Sequence, residues 1–480
     1  MELRQEIQAQ LKRIGQKLTQ AAGADPDFKV FGAQVHSYQL NEPLSEQELR
    51  RFEETHGIEL PEEFAAFLTR LGNGGAGPFY GIHPLGTEQA IELDQIGEPS
   101  PLWPGMTKEE WDARYSQHEK DAELSGEAYR TFRAKQLAGM LNIGTQGCTY
   151  ETLLMVTGEH RGKVVYVNME EPWPLFTYEA HFLDWYERWL DEVIAGYDIH
   201  WFGKSRGGGE EKLIALYRAA EDEKTKLEAL EGLLHLPRVS EGALAFLQEQ
   251  CVHPSGEIRR MALQALTKMN FDRAEPLNRQ ALHGGNEVER LHAVQHIRWY
   301  MPDGDGRFTR ELISLLPEAS DEMFSFICYA LDKAGIDLLP WVLPYFDHRS
   351  KEIQSQAVYQ AGKSKLKAAH VADFIRVLRD PEVRVQHTAL QALSGVPDPS
   401  LLPVYEELLR QHKTDDGYYM RSNVSHRLKE FGFVSAEQIE QELSPSLTQV
   451  RGMLKTLLPP RRRGRGGQVK AKRTKTRKGN

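Results

Sequence analysis

The sequence predicts an α+β domain over residues 1–200 and an all-α solenoid over residues 210–458, followed by a disordered basic tail over residues 459–480. Amphipathic helices and short β-branched segments succeed one another in the first region, a pattern typical of α+β folds. Small residues recur every 31 to 33 positions in the second region, a period typical of stacked helical hairpins. A glycine-rich linker over residues 201–209 is predicted between the two.

The composition is that of an ordinary globular protein, because 40% of the 480 residues are hydrophobic and 27% are charged. No apolar run approaches the roughly 20 residues that a bilayer span needs, and the N-terminal segment lacks the apolar stretch of a signal peptide. The three cysteines, Cys148, Cys251 and Cys328, are far apart and form no CxxC pair. We therefore expect a cytoplasmic protein without a membrane span, a disulfide scaffold or a zinc knuckle.

The charge is distributed very unevenly along the chain. Residues 1–200 contain 33 acidic and 17 basic side chains, a net charge of −16, and residues 201–460 contain 36 and 32, a net charge of −4. Residues 461–480 contain ten Lys or Arg and no acid. The acidic first region and the basic tail should therefore attract different partners.

Three helices are predicted in the first 71 residues. Apolar residues at steps of three and four predict the first helix over residues 3–18. The second helix begins at Ser45, where Glu48 completes a capping box, and ends at about His56 before Gly57. The third helix is predicted over Pro61–Leu71, because proline is favoured in the first turn and Gly72 follows the last apolar residue.

Strands are predicted after residue 141. The segments Thr152–Thr157 and Lys163–Val167 are short, apolar and β-branched, and the loop between them is rich in glycine and charge. The prolines of the segment Pro172-Trp173-Pro174 should break the chain. A final helix over Ala180–Ala195 has apolar and aromatic side chains on most of its surface.

The second region is interpreted as a repeat of two-helix units. Pairs of residues three positions apart mark the repeat, and the first residue of each pair is small. The second residue is also small except in two pairs, where it is His296 or Gln360. The pairs are Ala229/Gly232, Ala262/Ala265, Ala293/His296, Ser325/Cys328, Ala357/Gln360 and Ala389/Ala392. The pair Ser422/Ser425 extends the series. Small residues allow helices to approach closely, and a single helical hairpin cannot bury its own apolar face, so the units must stack.

Several segments of the first region resemble the SUKH superfamily (the Smi-one/Knr-four type) in their order along the chain. They are Ile58-Glu-Leu-Pro, Leu71-Gly-Asn-Gly-Gly, Ile143-Gly-Thr-Gln-Gly and Phe182-Leu-Asp-Trp-Tyr-Glu-Arg-Trp-Leu. The resemblance covers about residues 40–195 and implies an α+β fold used for protein binding. Many bacterial members are immunity proteins that block toxins, and eukaryotic relatives are regulatory scaffolds. The insertion over residues 91–136 departs from the family pattern, and the second region resembles HEAT-like repeats.

Three motifs have a chemical as well as a structural interpretation. Gly72–Gly77 spells G-x-G-x-x-G, but a helix precedes it where a dinucleotide site needs a strand, so Gly72, Asn73, Gly74 and Gly75 are predicted to form a structural turn. His292 and His296 have the spacing of a helical metal pair, but without a third ligand nearby in sequence a packed or solvent-edge role is favoured. Cys148 is predicted to be buried rather than a nucleophile.

Candidate partner-binding residues are the loop aromatics Tyr80, Trp103 and Trp173 and the acidic pair Glu170 and Glu171. Exposed aromatics anchor interfaces, and an acidic surface attracts a basic partner. The alternative for the aromatics, with Trp111 as a further predicted loop residue, is that they pack under the insertion. The alternative for the acidic residues is that they serve only the solubility of the domain. The binding hypothesis predicts an acidic cleft in the first 200 residues.

The favoured function is that of a non-enzymatic protein-binding module, an immunity-type or regulatory protein that binds and blocks a toxin or other effector, with no cofactor and no metal. The alternative is a nucleic-acid-associated scaffold that uses the solenoid and the tail. The candidate nucleic-acid contacts are Arg461, Arg462, Arg463, Arg465, Lys472 and Arg473. A polycation without aromatics binds phosphates but does not read sequence, and the tail could instead bind the acidic first region. No residue constellation predicts an enzyme.

Overall fold

The structure is a computed structural model that describes residues 4–87, 95–119, 126–170, 173–284, 286–414 and 419–458. The chain divides into two compact units, Met1–Arg279 and Gln280–Asn480. The first unit contains the α+β domain and the first helical repeats, and the second contains the remaining repeats. The predicted tail, residues 459–480, lies outside the described residues.

Four helices open the first unit: α1 (Gln5–Ala24), α2 (Ala33–His36), α3 (Glu46–His56) and α4 (Glu62–Arg70). The predicted capping box is present, because the Ser45 side chain accepts a hydrogen bond from the Glu48 amide and the Glu48 carboxylate accepts one from the Ser45 amide. Gly57 ends α3 with φ +65°, a conformation that favours glycine. The three predicted helices are confirmed as α1, α3 and α4.

A four-stranded antiparallel sheet follows, in the order β1 (Met140–Gly147), β2 (Tyr150–Met155), β3 (Val164–Asn168) and β4 (Pro174–Phe176). The two predicted strands correspond to β2 and β3. The interpretation of Pro174 as a chain break was wrong, because Pro174 pairs with Val167 and begins β4. Proline is tolerated there because β4 is the last strand of the sheet, and an edge strand needs no donor on its outer side.

Helix α7 (Phe182–Ala195) forms the inner core with α1, α4 and one face of the sheet. The buried Trp185 indole donates a hydrogen bond of 2.9 Å to the Tyr166 hydroxyl, which ties α7 to β3. Arg13 of α1 makes two bonds, 2.8 and 3.0 Å long, to the carboxylate of Glu187 on α7. Lys17 bonds the same carboxylate at 2.9 Å, so α1 is held to α7 by both apolar and ionic contacts.

The described part of the insertion covers the other face of the sheet. It contains α5 (Lys108–Glu119) and α6 (Gly126–Gln136). Trp111 belongs to α5 and is only 4% exposed, so its prediction as a loop residue was wrong. It packs in an outer cluster with residues of the insertion and of the sheet: Leu102, Met106, Leu137, Met140, Leu153, Met155, Val165 and Val167. The sheet is therefore buried on both faces.

The remainder of the described chain is helical. The helices are α8 (Glu210–Ala219), α9 (Glu223–Leu234), α10 (Glu241–Gln250), α11 (Gly256–Met269), α12 (Phe271–Gly284), α13 (Glu287–Tyr300), α14 (Thr309–Leu315), α15 (Asp321–Lys333), α16 (Leu339–Val342), α17 (Lys351–Lys363), α18 (Val371–Leu378), α19 (Val383–Ala392), α20 (Leu401–Gln411), α21 (Met420–Lys429), α22 (Ala436–Glu442) and α23 (Thr448–Leu457). None of the helices in the described residues is long and apolar enough to cross a bilayer.

The predicted small-residue pairs fall on every second helix, from α9 to α21. Within the second unit these helices pack in succession, α13 on α15, α15 on α17, α17 on α19 and α19 on α21. Ala293, Ala357 and Ala389 are fully buried, as the repeat predicts. The arrangement agrees with HEAT-like repeats.

Two members of the repeat were placed wrongly by sequence. Ser325 is half-buried and Ser422 is exposed, although the pattern places both between helices. In α15 the larger side chains Phe324, Ile327 and Leu331 are fully buried. Because burial of large apolar side chains outweighs the close approach that a serine permits, these residues set the rotation of α15.

Candidate partner-binding surface

Exposed aromatic side chains meet at the end of the sheet where the β1–β2 turn lies. We call Phe31, Tyr80, Cys148, Tyr150 and Trp201 the hairpin-end surface. Trp201 is 57% and Tyr80 37% exposed, and Phe31 and Cys148 are also exposed. The Phe31 and Tyr80 rings contact edge to face with centroids 5.2 Å apart, and the Tyr150 and Trp201 centroids are 6.5 Å apart.

The β1–β2 turn positions the Tyr80 ring. Gly147 has φ +89°, and a Cβ at this position would lie 2.8 Å from the Tyr80 ring. The Tyr80 amide donates to the Thr145 carbonyl at 3.4 Å. Gly147 also pairs with Tyr150 across the turn. The ring of Tyr80 therefore rests directly on the backbone beside Tyr150, which makes the aromatic surface continuous.

Lys204 fixes the other half of the surface. Its ammonium nitrogen lies 4.2 Å from the centroid of the Trp201 ring and 4.7 Å from that of the Tyr150 ring. Both distances are within the range of a cation–π contact. Burial between the rings lowers the pKa of Lys204. The lysine orders two aromatic side chains that would otherwise rotate freely in solvent.

The glycine turn after α4 is packed against the backbone of its own domain. Gly74 and Gly75 have φ +79° and +102°, and a Cβ on Gly75 would lie 2.5 Å from the Gln39 carbonyl oxygen. A Cβ on Gly72 would lie 2.6 Å from the Asn41 carbonyl oxygen. The Asn73 side-chain oxygen accepts a hydrogen bond of 2.8 Å from the Leu85 amide. These contacts support the interpretation of Gly72, Asn73, Gly74 and Gly75 as a structural turn.

The structure brings together some of the predicted binding residues. Tyr80 is part of the hairpin-end surface, and exposed Glu170 lies close to it, because the side-chain oxygen of Asn168 accepts hydrogen bonds from both the Glu170 amide and the Thr149 hydroxyl. Trp103 and Trp173 are instead half-buried against the outer cluster. Glu171 and the predicted nucleic-acid contacts from Arg461 to Arg473 lie outside the described residues.

Sequence reasoning missed Phe31, Tyr150, Trp201 and Lys204 as members of this surface. Phe31 lies outside the family-like segments, and Trp201 and Lys204 fall in the segment that was interpreted as a linker. That segment, residues 201–209, has no helix or strand but is anchored, because Arg188 of α7 donates to the Ser205 carbonyl at 2.8 Å. An exposed tryptophan beside a glycine-rich segment was the available signal.

One groove of the first region does not have the uniformly acidic lining that the binding hypothesis predicts for a cleft. This groove, of about 880 Å³, lies between α7 and α8. Its charged lining mixes both signs: Glu179, Asp184, Asp191, Glu192, Arg188, Arg206 and Lys212. Arg188 pairs with Glu179 at 2.7 Å and with Glu192 at 2.6 Å, and Lys17 pairs with Asp191 at 2.6 Å. Most of the negative charge in this groove is therefore compensated within the domain.

The remaining two chemical motifs of the sequence, the histidine pair and Cys148, lie in different surroundings. His296 is buried, and the His292 ring nitrogen lies 2.6 Å from the Val288 carbonyl oxygen of the same helix. In the part of the chain that the structure describes, no group of three His, Cys, Asp or Glu is placed to hold a metal ion. The prediction that Cys148 is buried was wrong, because it lies at the exposed tip of the β1–β2 turn with φ +52°.

The first region thus has an α+β architecture, with an antiparallel sheet between α7 and the insertion and exposed aromatics at one end of the sheet. Residues 43–188 match the SMI1/KNR4 family (SUKH-1). The match agrees with the resemblance seen in the sequence, and the matched region, which we call the SUKH-1 domain after it, is followed by a helical repeat region.

Solved structures that match part of this chain share little sequence with it. The complex of CpcE and CpcF of phycocyanin lyase from Nostoc sp. PCC7120 is 18% identical, with 53% of this chain and 96% of that chain covered and a TM-score of 0.27. An engineered protein is 14% identical, the match covers 57% of this chain and 84% of that chain, and the TM-score is 0.34. A second engineered protein is 15% identical, the match covers 47% of this chain and 97% of that chain, and the TM-score is 0.24. No curated protein matches the chain.

Proposed function

We propose that this chain is a non-enzymatic binding protein whose SUKH-1 domain binds a partner protein, a toxin or other effector, and blocks it. The observation that carries the proposal is the hairpin-end surface. Four aromatic side chains, Phe31, Tyr80, Tyr150 and Trp201, are held there without being buried in the core. A family whose members bind protein toxins supports the same class of function.

The hairpin-end surface has the properties of an interface centre. Tyr and Trp are enriched among the residues that dominate binding energy, because they bury a large area with few rotatable bonds. The contacts of Tyr80 with Phe31 and of Trp201 with Lys204 already restrict their rotamers. A partner that covers them therefore loses less conformational entropy on binding than it would with mobile side chains.

The net charge of −16 over residues 1–200 favours a basic partner. Charge of one sign over a domain raises the association rate of an oppositely charged protein, and salt reduces that effect. Because the groove between α7 and α8 is internally compensated, the attraction arises from the whole domain rather than from one cleft. The aromatic side chains thus account for the affinity of the complex, and the net charge accounts for the rate at which the partner associates.

The proposal is tested by co-expressing the chain with each toxin-like protein that is encoded beside it. Protection from growth arrest and co-purification of the two proteins are the expected results. Tyr80→Ala and Trp201→Ala should each weaken the complex about tenfold or more, since truncating an interface anchor typically costs about 2 kcal/mol or more and tenfold corresponds to about 1.4 kcal/mol. Raising the salt concentration should slow association of the complex.

Trp341→Ala is the matched control, because Trp341 is also an exposed tryptophan, 45% accessible, but belongs to the second unit. It should leave protection unchanged. Protection that survives the Tyr80→Ala/Trp201→Ala double variant, in a chain that is still folded by circular dichroism, contradicts the assigned surface. A chain that neither protects against nor binds any encoded neighbour contradicts the immunity-type function.

A further inference from the structure

A second set of exposed aromatic side chains crosses three helices of the second unit. Trp299 of α13, Phe326 and Tyr329 of α15 and Tyr359 of α17 form what we call the solenoid stripe. Trp299 is 44% exposed, Tyr329 and Tyr359 are also exposed, and Phe326 is half-buried. Ring centroids lie 6.1 Å apart for Trp299 and Phe326 and 6.5 Å apart for Phe326 and Tyr329. None of these residues is used by the proposed function.

Polar contacts keep the helices of the solenoid stripe in register. The Gln295 side chain donates to the Glu322 carboxylate at 3.1 Å, and the Lys333 ammonium donates to the Trp299 carbonyl at 3.3 Å. On the next pair of helices Lys363 pairs with Asp332 at 2.8 Å. The exposed faces of α13, α15 and α17 therefore form one continuous surface rather than three separate ones.

The part of the second unit that carries most of the stripe is acidic. Residues 286–347 contain 11 acidic and five basic side chains, whereas residues 348–458 contain 13 acidic and 15 basic ones. Asp303 and Glu318 pair with Lys333 and Arg290 at 3.7 and 3.8 Å, but their side chains are 91% and 77% exposed. An approaching cation can therefore contact these carboxylates as well. The surface combines aromatic faces with excess negative charge, and both favour Lys and Arg.

We propose that the basic segment of the same chain, residues 461–480, binds the solenoid stripe. The segment carries ten positive charges and no negative one, which complements the acidic residues around Trp299 and Tyr329. A lysine already lies over one of the rings, because the Lys363 ammonium is 4.8 Å from the Tyr359 centroid. The segment would place further Lys and Arg side chains over Trp299 and Tyr329 in the same way.

The chain is long enough for this contact. The last described helix, α23, packs on α21, which packs on α19, which packs on α17. Helix α17 packs on α15, which packs on α13. Five steps at helix-packing distances of about 10 Å therefore place α23 roughly 50 Å from α13, the helix that carries Trp299. The 22 residues after Leu458 can span up to about 70 Å when extended. Because the segment is tethered, even weak contacts give substantial occupancy.

When the chain's own basic segment occupies the solenoid stripe, other basic ligands cannot bind there. The segment leaves the stripe only when salt or a competing polyanion weakens the contact. The proposal is independent of the proposed function, since it involves neither the hairpin-end surface nor a partner protein. It assigns the ten basic residues to an intramolecular role.

The test uses a fluorescent peptide with the sequence of residues 461–480 and two full-length proteins. One is the natural chain, and the other has the ten Lys and Arg of that segment changed to Gln. The peptide should bind the neutralised protein at least fivefold more tightly than the natural chain, whose own segment occupies the site. Binding should weaken at least tenfold between 50 and 200 mM salt, a loss on the order expected for several ionic contacts.

Variants in the neutralised protein locate the site. Trp299→Ala combined with Tyr329→Ala should weaken peptide binding at least fivefold, and Trp341→Ala, which removes a tryptophan of similar exposure, 45% against 44%, should not. Carboxylate-to-lysine crosslinking should join the peptide to residues 303–352. Equal binding to the natural and neutralised proteins, an equal effect of Trp341→Ala, or crosslinks confined to residues 4–200 would each overturn the proposal. Thermal melts confirm that the variants are folded.

Discussion

Neutralising Glu187 should remove an ionic contact that holds α1 to α7. Burial alone would raise the pKa of the Glu187 carboxyl, but the hydrogen bonds from Arg13 and Lys17 outweigh it and lower the pKa from 4.5 to about 2. Between these values the unfolded chain binds more protons than the folded one. The contribution of Glu187 to stability is therefore complete above about pH 4.5 and is lost as the pH falls towards 2.

The size of the effect follows from the same pKa. A lowering from 4.5 to about 2 corresponds to about 3 kcal/mol when screening is ignored. The side chain of Glu187 is well buried, but that of Arg13 is half exposed, and solvent weakens such a pair. We therefore expect Glu187→Gln to lower the free energy of unfolding by about 1–2 kcal/mol at pH 7.

The assay is urea unfolding of the natural chain and of Glu187→Gln at pH 7 and pH 3. The difference between the two should shrink at pH 3, because the natural carboxyl is then mostly protonated in the unfolded state. Asp191→Asn is the control, since Asp191 also pairs with Lys17 at 2.6 Å but is half exposed, and it should cost less than about 0.5 kcal/mol. A difference that is the same at both pH values, or equal for both variants, refutes the reasoning.

Three further predictions concern the SUKH-1 domain. Gly75→Ala should lower the free energy of unfolding by about 2–3 kcal/mol, measured by urea unfolding, because φ is +102° and the new Cβ would approach a carbonyl oxygen at 2.5 Å. Trp111→Ala should cost about 3–5 kcal/mol in the same assay, because it empties the centre of the outer cluster. Cys148 should react with a thiol reagent about ten times faster than Cys328, as mass spectrometry can show, because Cys328 is buried and burial raises its pKa to about 12.

The elements that sequence predicted well are those with local signals. Ser45, Glu48 and Gly57 specify both ends of α3 without help from the rest of the chain, and the apolar periodicity of residues 180–195 specifies α7. The repeat was equally visible, because small residues recur at a near-constant spacing and several of them, Ala293, Ala357 and Ala389, are buried. These features depend on interactions within about one turn or one repeat.

The features that sequence predicted poorly depend on contacts across the fold. Trp111 is buried only because the insertion returns to the outer face of the sheet, and Pro174 can begin a strand only because that strand is the last one. Cys148 is exposed because the β1–β2 turn points away from the core. The hairpin-end surface joins four separate chain segments, so no single motif could have predicted it.

The two buried faces of the sheet set a limit on how this domain can be shortened. Leu153, Val165 and Val167 are fully buried beneath the insertion. A version trimmed to the short family pattern would present these side chains to water as an adjacent apolar area, and exposed areas of this kind promote self-association. We expect such a trimmed domain to aggregate unless the outward-facing positions of β2 and β3 are changed to polar residues at the same time.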